Sequence, residues 1–158
     1  QTQVINVTAE SKAALFQTSQ SGSLAVNLTQ SGTLPGVTLS MPGNQFEAGD
    51  LCNCTVSVDN STGVALSGSP LWVFLDVYGA YFFAPEFRET TATGWPTPGR
   101  DYYSRQYPTG STEVVVIPDF NWPSGVGSAS GIYWYAALTD PQMTQLFSNL
   151  DTWEFGWE

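Results

Sequence analysis

The sequence predicts an all-β chain: an antiparallel β-sandwich preceded by a β-prone N-terminal arm. Three observations carry this. Apolar and polar residues alternate with period two in about eight or nine short runs, the pattern of strands buried on one face and wet on the other. Clusters of Gly, Pro, Asn and Ser separate the runs and supply turn conformations. Almost nowhere does a 3.6-residue period persist long enough to build a helix. The texture changes after Pro35, which divides the chain into an arm over 1–38 and a sandwich domain over 39–158.

Within the arm, "QTQVINVTA" sets Ile5, Val7 and Ala9 on one face, and "SLAVNLTQ" does the same for Leu24, Val26 and Leu28. "AESKAALFQ" between them could make a turn or two of helix. "GVTLSM" reads as a strand, "PGNQFEAGD" as a turn, and "LCNCTVSVDN" as a strand with Cys52, Cys54, Val56 and Val58 on its apolar side. After the loop "NSTGVALSGSP", the stretch "LWVFLDVY" places Leu71, Val73, Leu75 and Val77 on one face. Trp72, Phe74, Asp76 and Tyr78 fall on the other, and "AYFFAP" beyond Tyr78-Gly79 is the expected hairpin partner. Residues 88–113 form an excursion rich in turn signals. "TEVVVIPDF" reads as a buried strand, "NWPSGVGSASG" as a loop and "IYWYAALTD" as a strand apolar on both sides. "DPQMTQLFSNL" is a turn or short helix, and "TWEFGWE" a strand with Glu154 and Glu158 on its wet face.

Composition removes several function classes. Only Lys12, Arg88, Arg100 and Arg105 oppose 14 acids, giving a net charge of −10 that repels phosphate backbones; a nucleic-acid partner is not expected. No apolar run is long enough to span a bilayer, so membrane insertion is not expected either. A chain that starts at Gln1 reads as processed, and secretion or cell-surface display is the simplest expectation. Four N-x-[ST] sequons, at Asn6, Asn27, Asn53 and Asn60, are glycosylation candidates that agree with an extracellular setting. Cys52 and Cys54 would lie on one strand face roughly 6.5–7 Å apart, at the outer limit for a disulfide. They read as small core hydrophobes, with intermolecular pairing as the alternative.

The ordered motifs F-x-x-G-D (Phe46 to Asp50), V-x-V-x-N (Val56 to Asn60), "PLWVFLDVYGAYFFAP", "FNWPSGVGSASGIYWYAALTDPQM" and "DTWEFGW" resemble immunoglobulin-like β-sandwich modules of bacterial secreted and surface proteins. The resemblance covers about residues 39–158. It implies an extracellular sandwich of immunoglobulin-like or jelly-roll-like type and a structural or adhesive role, and it carries no catalytic residues.

The chemistry available agrees. Without histidine there is no Ser-His or Cys-His pair and no imidazole metal ligand, so the sequence predicts no enzyme. Asp76 is the one candidate acid for two-carboxylate chemistry, and its competing role is to cap the Tyr78-Gly79 turn or to bind an arginine. No cofactor is expected. Calcium is the ion the loops could hold, through Asp50, Asp59, Asp101, Asp119, Asp140 or Asp151. These aspartates lack the spacing of a calcium loop and read as turn and cap residues.

The leading expectation is a self-assembling extracellular subunit of a filament, tube or surface layer. Val4, Ile5 and Val7 would form an intersubunit strand, and Trp72, Phe74 and Tyr78 would be interface aromatics. The partner is then another copy of the chain. The alternative is a carbohydrate-binding or adhesion module that meets a polysaccharide through the loop residues Trp95 and Trp122.

Overall fold

The computed structural model describes residues 33–90 and 101–158. Val4, Ile5, Val7, Asn6, Asn27 and Trp95 lie outside the described residues. Nine strands run in order: β1 (Gly36–Ser40), β2 (Gln45–Phe46), β3 (Leu51–Asn60), β4 (Leu71–Val77), β5 (Ala80–Phe83), β6 (Arg88–Thr90), β7 (Gly110–Asn121), β8 (Ala129–Leu138) and β9 (Asp151–Trp157). They form a three-stranded sheet, β1-β3-β7, and a six-stranded sheet, β2-β9-β8-β4-β5-β6. The fold is an all-β sandwich of these two sheets. Strand β1 opens at Gly36, ahead of position 39 where the sandwich was expected to begin.

Alternation explains the layers. The inner face of the smaller sheet supplies Val37, Leu39, Cys54, Val56, Val58, Val114 and Val116, and the larger sheet answers with Leu71, Val73, Ile132, Trp134, Ala136, Leu138 and Phe155. Each valine, leucine, isoleucine or phenylalanine among them, moved from water into the core, contributes roughly 1.5–3 kcal/mol when fully buried. Cys52 and Cys54 are free thiols on this same buried face. Burial pushes Cys52 up to about 11 and Cys54, which also faces the charge of Cys52, to about 12.

The two short motifs tie loops to this core. In F-x-x-G-D, Phe46 is buried and Gly49 takes φ 93°, a left-handed conformation that L side chains rarely adopt. The Asp50 carboxylate accepts the Glu47 N–H at 2.8 Å, while the Gly49 N–H reaches the Trp122 carbonyl at 2.9 Å. In V-x-V-x-N the two valines are core, and Asn60, 1% exposed, works as a corner brace. Its Nδ2 donates to the carbonyls of Val64 (2.7 Å), Tyr107 (3.0 Å) and Pro108 (3.2 Å). Its Oδ1 accepts from the Thr62 hydroxyl at 2.6 Å.

Three elements differ from the sequence expectation. The turn at 42–50 contains β2, whose two residues pair in parallel with Gly156 and Trp157 of β9. The excursion contributes β6 and returns Tyr103 and Tyr107 to bridge Leu71 and Leu66. Residues 140–150 form turns, the first of the two readings weighed for them, with Thr139 bridging Leu146. The third difference is β7. Among the described residues it is an edge strand, with Val115 53% exposed, and not the buried strand that its valine run suggests.

Candidate interaction surfaces

The two edges of the three-stranded sheet are finished differently. At β1, side chains from the end of the β8–β9 connection and the start of β9 occupy the outward backbone groups. Asn149 Oδ1 accepts the Val37 N–H at 2.8 Å and its Nδ2 donates to the Val37 carbonyl at 2.8 Å, while Asp151 Oδ2 accepts the Leu39 N–H at 2.7 Å. The segment after β8 is pinned to present them: the Leu138 N–H donates to Ser148 Oγ at 2.8 Å, and the Phe147 N–H donates to the Leu138 carbonyl at 2.8 Å. A row of side chains has replaced a neighbouring strand.

At β7, among the described residues, no strand pairs with the far edge. Register identifies which groups face outward. Because the Val37 N–H and C=O point away from β3, the Val37–Val58 pair is a non-hydrogen-bonded one, and Val58 turns its groups toward Thr112. Thr112 and Val114 therefore bond to β3, and Ser111, Glu113 and Val115 direct their backbone groups outward. Pro118 lies further along the same strand, where the β3–β7 register shifts around Cys54, a position an edge tolerates.

The second surface is the outer face of the larger sheet. Register sets two rows across its strands. The first runs Glu154 (β9), Tyr133 (β8), Asp76 (β4) and Tyr81 (β5); the second runs Thr152, Tyr135, Phe74 and Phe83 on the same strands. In the second row Phe74 stacks on Phe83 at 4.9 Å and 25°, and on Tyr135 at 5.0 Å and 18°. Tyr81 meets Phe74 edge-on at 6.0 Å, and Tyr133 lies 6.3 Å from Tyr135. Phe83 is buried; Phe74, Tyr81, Tyr133 and Tyr135 are half-buried. The Glu154 charge, followed by burial, the hydrogen bond with Glu154 and the charge of Asp76, raises the Tyr133 phenol above its ordinary value. For Tyr135 burial leads and the Asp76 charge follows, in the same direction.

The three aromatics named from sequence have different places on this face. Trp72 is 1% exposed, 5.0 Å from Tyr102 and 6.1 Å from Phe83, with its indole N–H donated to Thr139 Oγ1 at 3.0 Å. It has no surface to offer. Phe74 is the centre of the stacked row. Tyr78, 72% exposed, sits at φ 53° beside Gly79 at φ 91°, a type I′ pair that matches the twist of the β4–β5 hairpin. Its hydroxyl donates to the Ser130 carbonyl at 3.0 Å. Asp76 accepts the Gly79 N–H at 2.8 Å, which is the capping role weighed against catalysis.

Trp122 belongs to an aromatic cluster, stacked on Phe46 at 5.3 Å and flanked by Phe120 at 5.7 Å and Trp157 at 5.1 Å. It is half-buried among these three rings. Asn53 donates to Asp119 at 2.7 Å, on the exposed side of β3. Asn60 differs: a glycan on its Nδ2 would have to displace three carbonyls, which removes it as a modification site in the folded domain.

The loop aspartates act locally. Besides Asp50 and Asp119, Asp140 accepts the Thr144 N–H (2.7 Å), the Thr144 hydroxyl (2.8 Å) and the Gln145 N–H (3.0 Å). The Gln145 bond leads in holding its carboxyl below the usual range. Among the described residues no three acidic or cysteine side chains gather as a metal site. Nor does any described helix have the length and apolarity to cross a membrane.

The sequence reading missed Tyr81, Tyr133, Tyr135 and Glu154. Their signal was parity: Tyr133 and Tyr135 alternate against Ile132 and Trp134, and only the pairing register sets them beside Phe74.

No family model matches the chain, and no curated protein matches it. Among solved structures, the fold is similar to the CARDB domain of the PF1109 protein from Pyrococcus furiosus. Its crystal structure, in complex with di-metal ions, superposes with a TM-score of 0.47 at 14% identity, covering 84% of this chain and 94% of that one. The solution structure of the same domain gives 0.43 at 14% identity, over 78% and 95%. The likeness is one of fold.

Proposed function

We propose that the chain is a non-catalytic extracellular structural protein whose copies join by strand addition, the N-terminal segment of one copy pairing with β7 of the next. The observation that carries this reading is the far edge of β7, twelve residues long and unpaired among the described residues, in a sheet whose other edge is closed by Asn149 and Asp151. The segment from Thr2 to Ala9 suits such an edge, being free of Pro and Gly and alternating Ile5 and Val7 against polar residues. Each ladder bond contributes about 0.5–1.5 kcal/mol net, and each buried aliphatic side chain roughly 1.5–3 kcal/mol. Several of each offset the cost of association. A donor end and an acceptor edge on one subunit make a head-to-tail contact, which propagates as a fibre unless its rotation closes a ring. The acidic composition and the Asn53 sequon support the extracellular setting.

The test is electron microscopy and sedimentation of the chain with and without residues 1–10. Regular polymers from the whole chain, and a folded monomer from the shortened one, are the expected pair of results. Dispersed monomers from the whole chain at high concentration would overturn the proposal, as would polymers that persist without the segment.

A further inference from the structure

The open edge of β7 is regular over only part of its length. Its register with β3 is unbroken from Gly110, opposite Asn60, to Val115, opposite Thr55. Beyond Val115 the register shifts between Thr55 and Cys54 and again between Cys54 and Cys52, and Pro118 has no N–H to offer. A strand added outside β7 therefore meets a straight ladder that ends at Val115. Side chains along that ladder differ by face. Ser111, Glu113 and Val115 lie on the exposed face, where Ser111 and Ser57 share a hydroxyl contact of 2.8 Å and Val115 is 53% exposed. Thr112 and Val114 lie on the opposite face, half-buried and buried.

The segment from Thr2 to Ala9 has matching chemistry in reverse order. Written as a strand, it puts Val4, Asn6 and Thr8 on one face and Ile5, Val7 and Ala9 on the other. Valine, amide and hydroxyl then answer Val115, Glu113 and Ser111. On the reading that copies join at β7, we infer that the segment of one copy lies antiparallel to β7 of the next in a single register, with Val4 opposite Val115, Asn6 opposite Glu113 and Thr8 opposite Ser111. Ile5 then falls beside Val114, and Val7 beside Thr112.

Three cross-strand pairs select this register. Val4 covers Val115, the apolar side chain among the three on the exposed face of the straight ladder. The Asn6 amide donates to the Glu113 carboxylate, an acceptor that carries charge. The Thr8 hydroxyl extends the contact between Ser57 and Ser111. Direction follows from the irregular stretch. A parallel segment with Val4 at Val115 would lay Ile5 and Val7 along the part of β7 that contains Pro118. Moved back onto the straight ladder, it would pair Val4 with Ser111 and Thr8 with Val115, a valine against a hydroxyl at both ends. Reach is sufficient, since the residues from Glu10 to Gly32 span up to about 80 Å when extended.

The test reads the register directly in the whole chain. Val7 and Thr112 would face each other at a non-hydrogen-bonded pair, with Cα atoms about 4.5 Å apart, within reach of a disulfide. A chain with Val7→Cys and Thr112→Cys, oxidised as it assembles, should run as a ladder of covalent multimers on a non-reducing gel. Ile5→Cys with Thr112→Cys, two residues out of step, should crosslink about tenfold less, because diagonal neighbours stand further apart. Cys52 and Cys54 are buried and common to both chains, so they do not separate the two results. Charge gives a second readout. Asn6→Asp sets like charges opposite each other and should raise the concentration needed for assembly about fivefold. Adding Glu113→Lys should restore assembly, and circular dichroism follows the fold of each variant. Equal crosslinking of the two cysteine pairs, or no recovery in the charge-swapped chain, would overturn the register and leave strand addition at β7 standing. Disulfides formed only within single chains would overturn both the register and the joining of copies, as would a parent chain that forms no polymers.

Discussion

Strands β1 and β7 border the same central strand, yet among the described residues one edge is sealed and the other is open. Strand β1 spans five residues and has three of its outward backbone groups taken by Asn149 and Asp151. Strand β7 spans twelve, and its outward groups at Ser111, Glu113 and Val115 meet no described strand. An unpaired edge invites other chains, and proteins usually blunt it with charge, proline or cover. Here the short edge has the cover. The long one has Glu113, Pro118 and Asp119 as its charged and proline residues and no cover among the described residues. The difference teaches that edge protection in this domain is selective, which is why β7 carries the functional proposal and β1 does not.

The comparison rests first on which β7 groups face inward, and proline can test that directly. Val114→Pro should remove a β3–β7 ladder bond and a buried side chain together, costing about 3 kcal/mol or more. Urea titration should show a domain that is barely folded or unfolded. A Val114→Pro protein as stable as the parent would mean that the alternation deduced from Val37 is out of step.

Opening the sealed edge should have the next largest effect. Asn149→Ala with Asp151→Ala removes two neutral hydrogen bonds and one to a charged group, a loss of about 2–4 kcal/mol. The variant should also gain self-association, since β1 would then resemble β7. Unchanged stability would show that water replaces these side chains at no cost and that the edge was never sealed.

How much of this was legible beforehand depends on where each signal resides. Strand β3 was plain, because "LCNCTVSVDN" alternates without interruption and both cysteines fell on its core side. The β4–β5 hairpin was equally plain, since Tyr78-Gly79 supplies two positive-φ positions between apolar runs. Strand β7 was misread because three consecutive valines hide parity; Pro118 was the residue that marked an edge. Strand β2 could not be read at all. Its two residues are a strand only because β9 lies alongside. The same holds for the sealed edge, which joins residues 37–39 to 149–151, and for the aromatic rows, which exist only once the register of four strands is known. Local alternation predicts faces, whereas edges and rows are properties of pairing.

Between the two edges, β3 provides a third check through its thiols. An unfolded thiol ionises near the ordinary value of 9.0, whereas burial holds Cys54 protonated to about 12. The group's contribution is complete below pH 9 and is lost as pH rises toward 12, because the unfolded state sheds its proton first. Over that window stability should fall by about 1 kcal/mol per pH unit from Cys54. Cys54→Ala should flatten this slope, and native thiol labelling at neutral pH should be slow for both cysteines. Fast labelling would show that the central strand is exposed on its inner side.

The smallest expected effect on stability is the most informative for function. The Glu113 backbone N–H points away from β3, so Glu113→Pro deletes no bond among the described residues. Proline's fixed φ lies within the range of a strand, and Thr112 before it is already extended, as a residue preceding proline prefers to be. The side chain replaced is exposed, so packing changes little. Stability should therefore shift by no more than about 1 kcal/mol, in contrast to Val114→Pro one residue away. Assembly should respond in the opposite proportion: an incoming strand would lose a donor at the middle of its ladder and meet the ring where it must lie flat. Sedimentation should find a folded monomer at concentrations where the parent polymerises. If Glu113→Pro polymerises as the parent does, strand addition at β7 is not how copies join, and the open edge is a structural feature without that role.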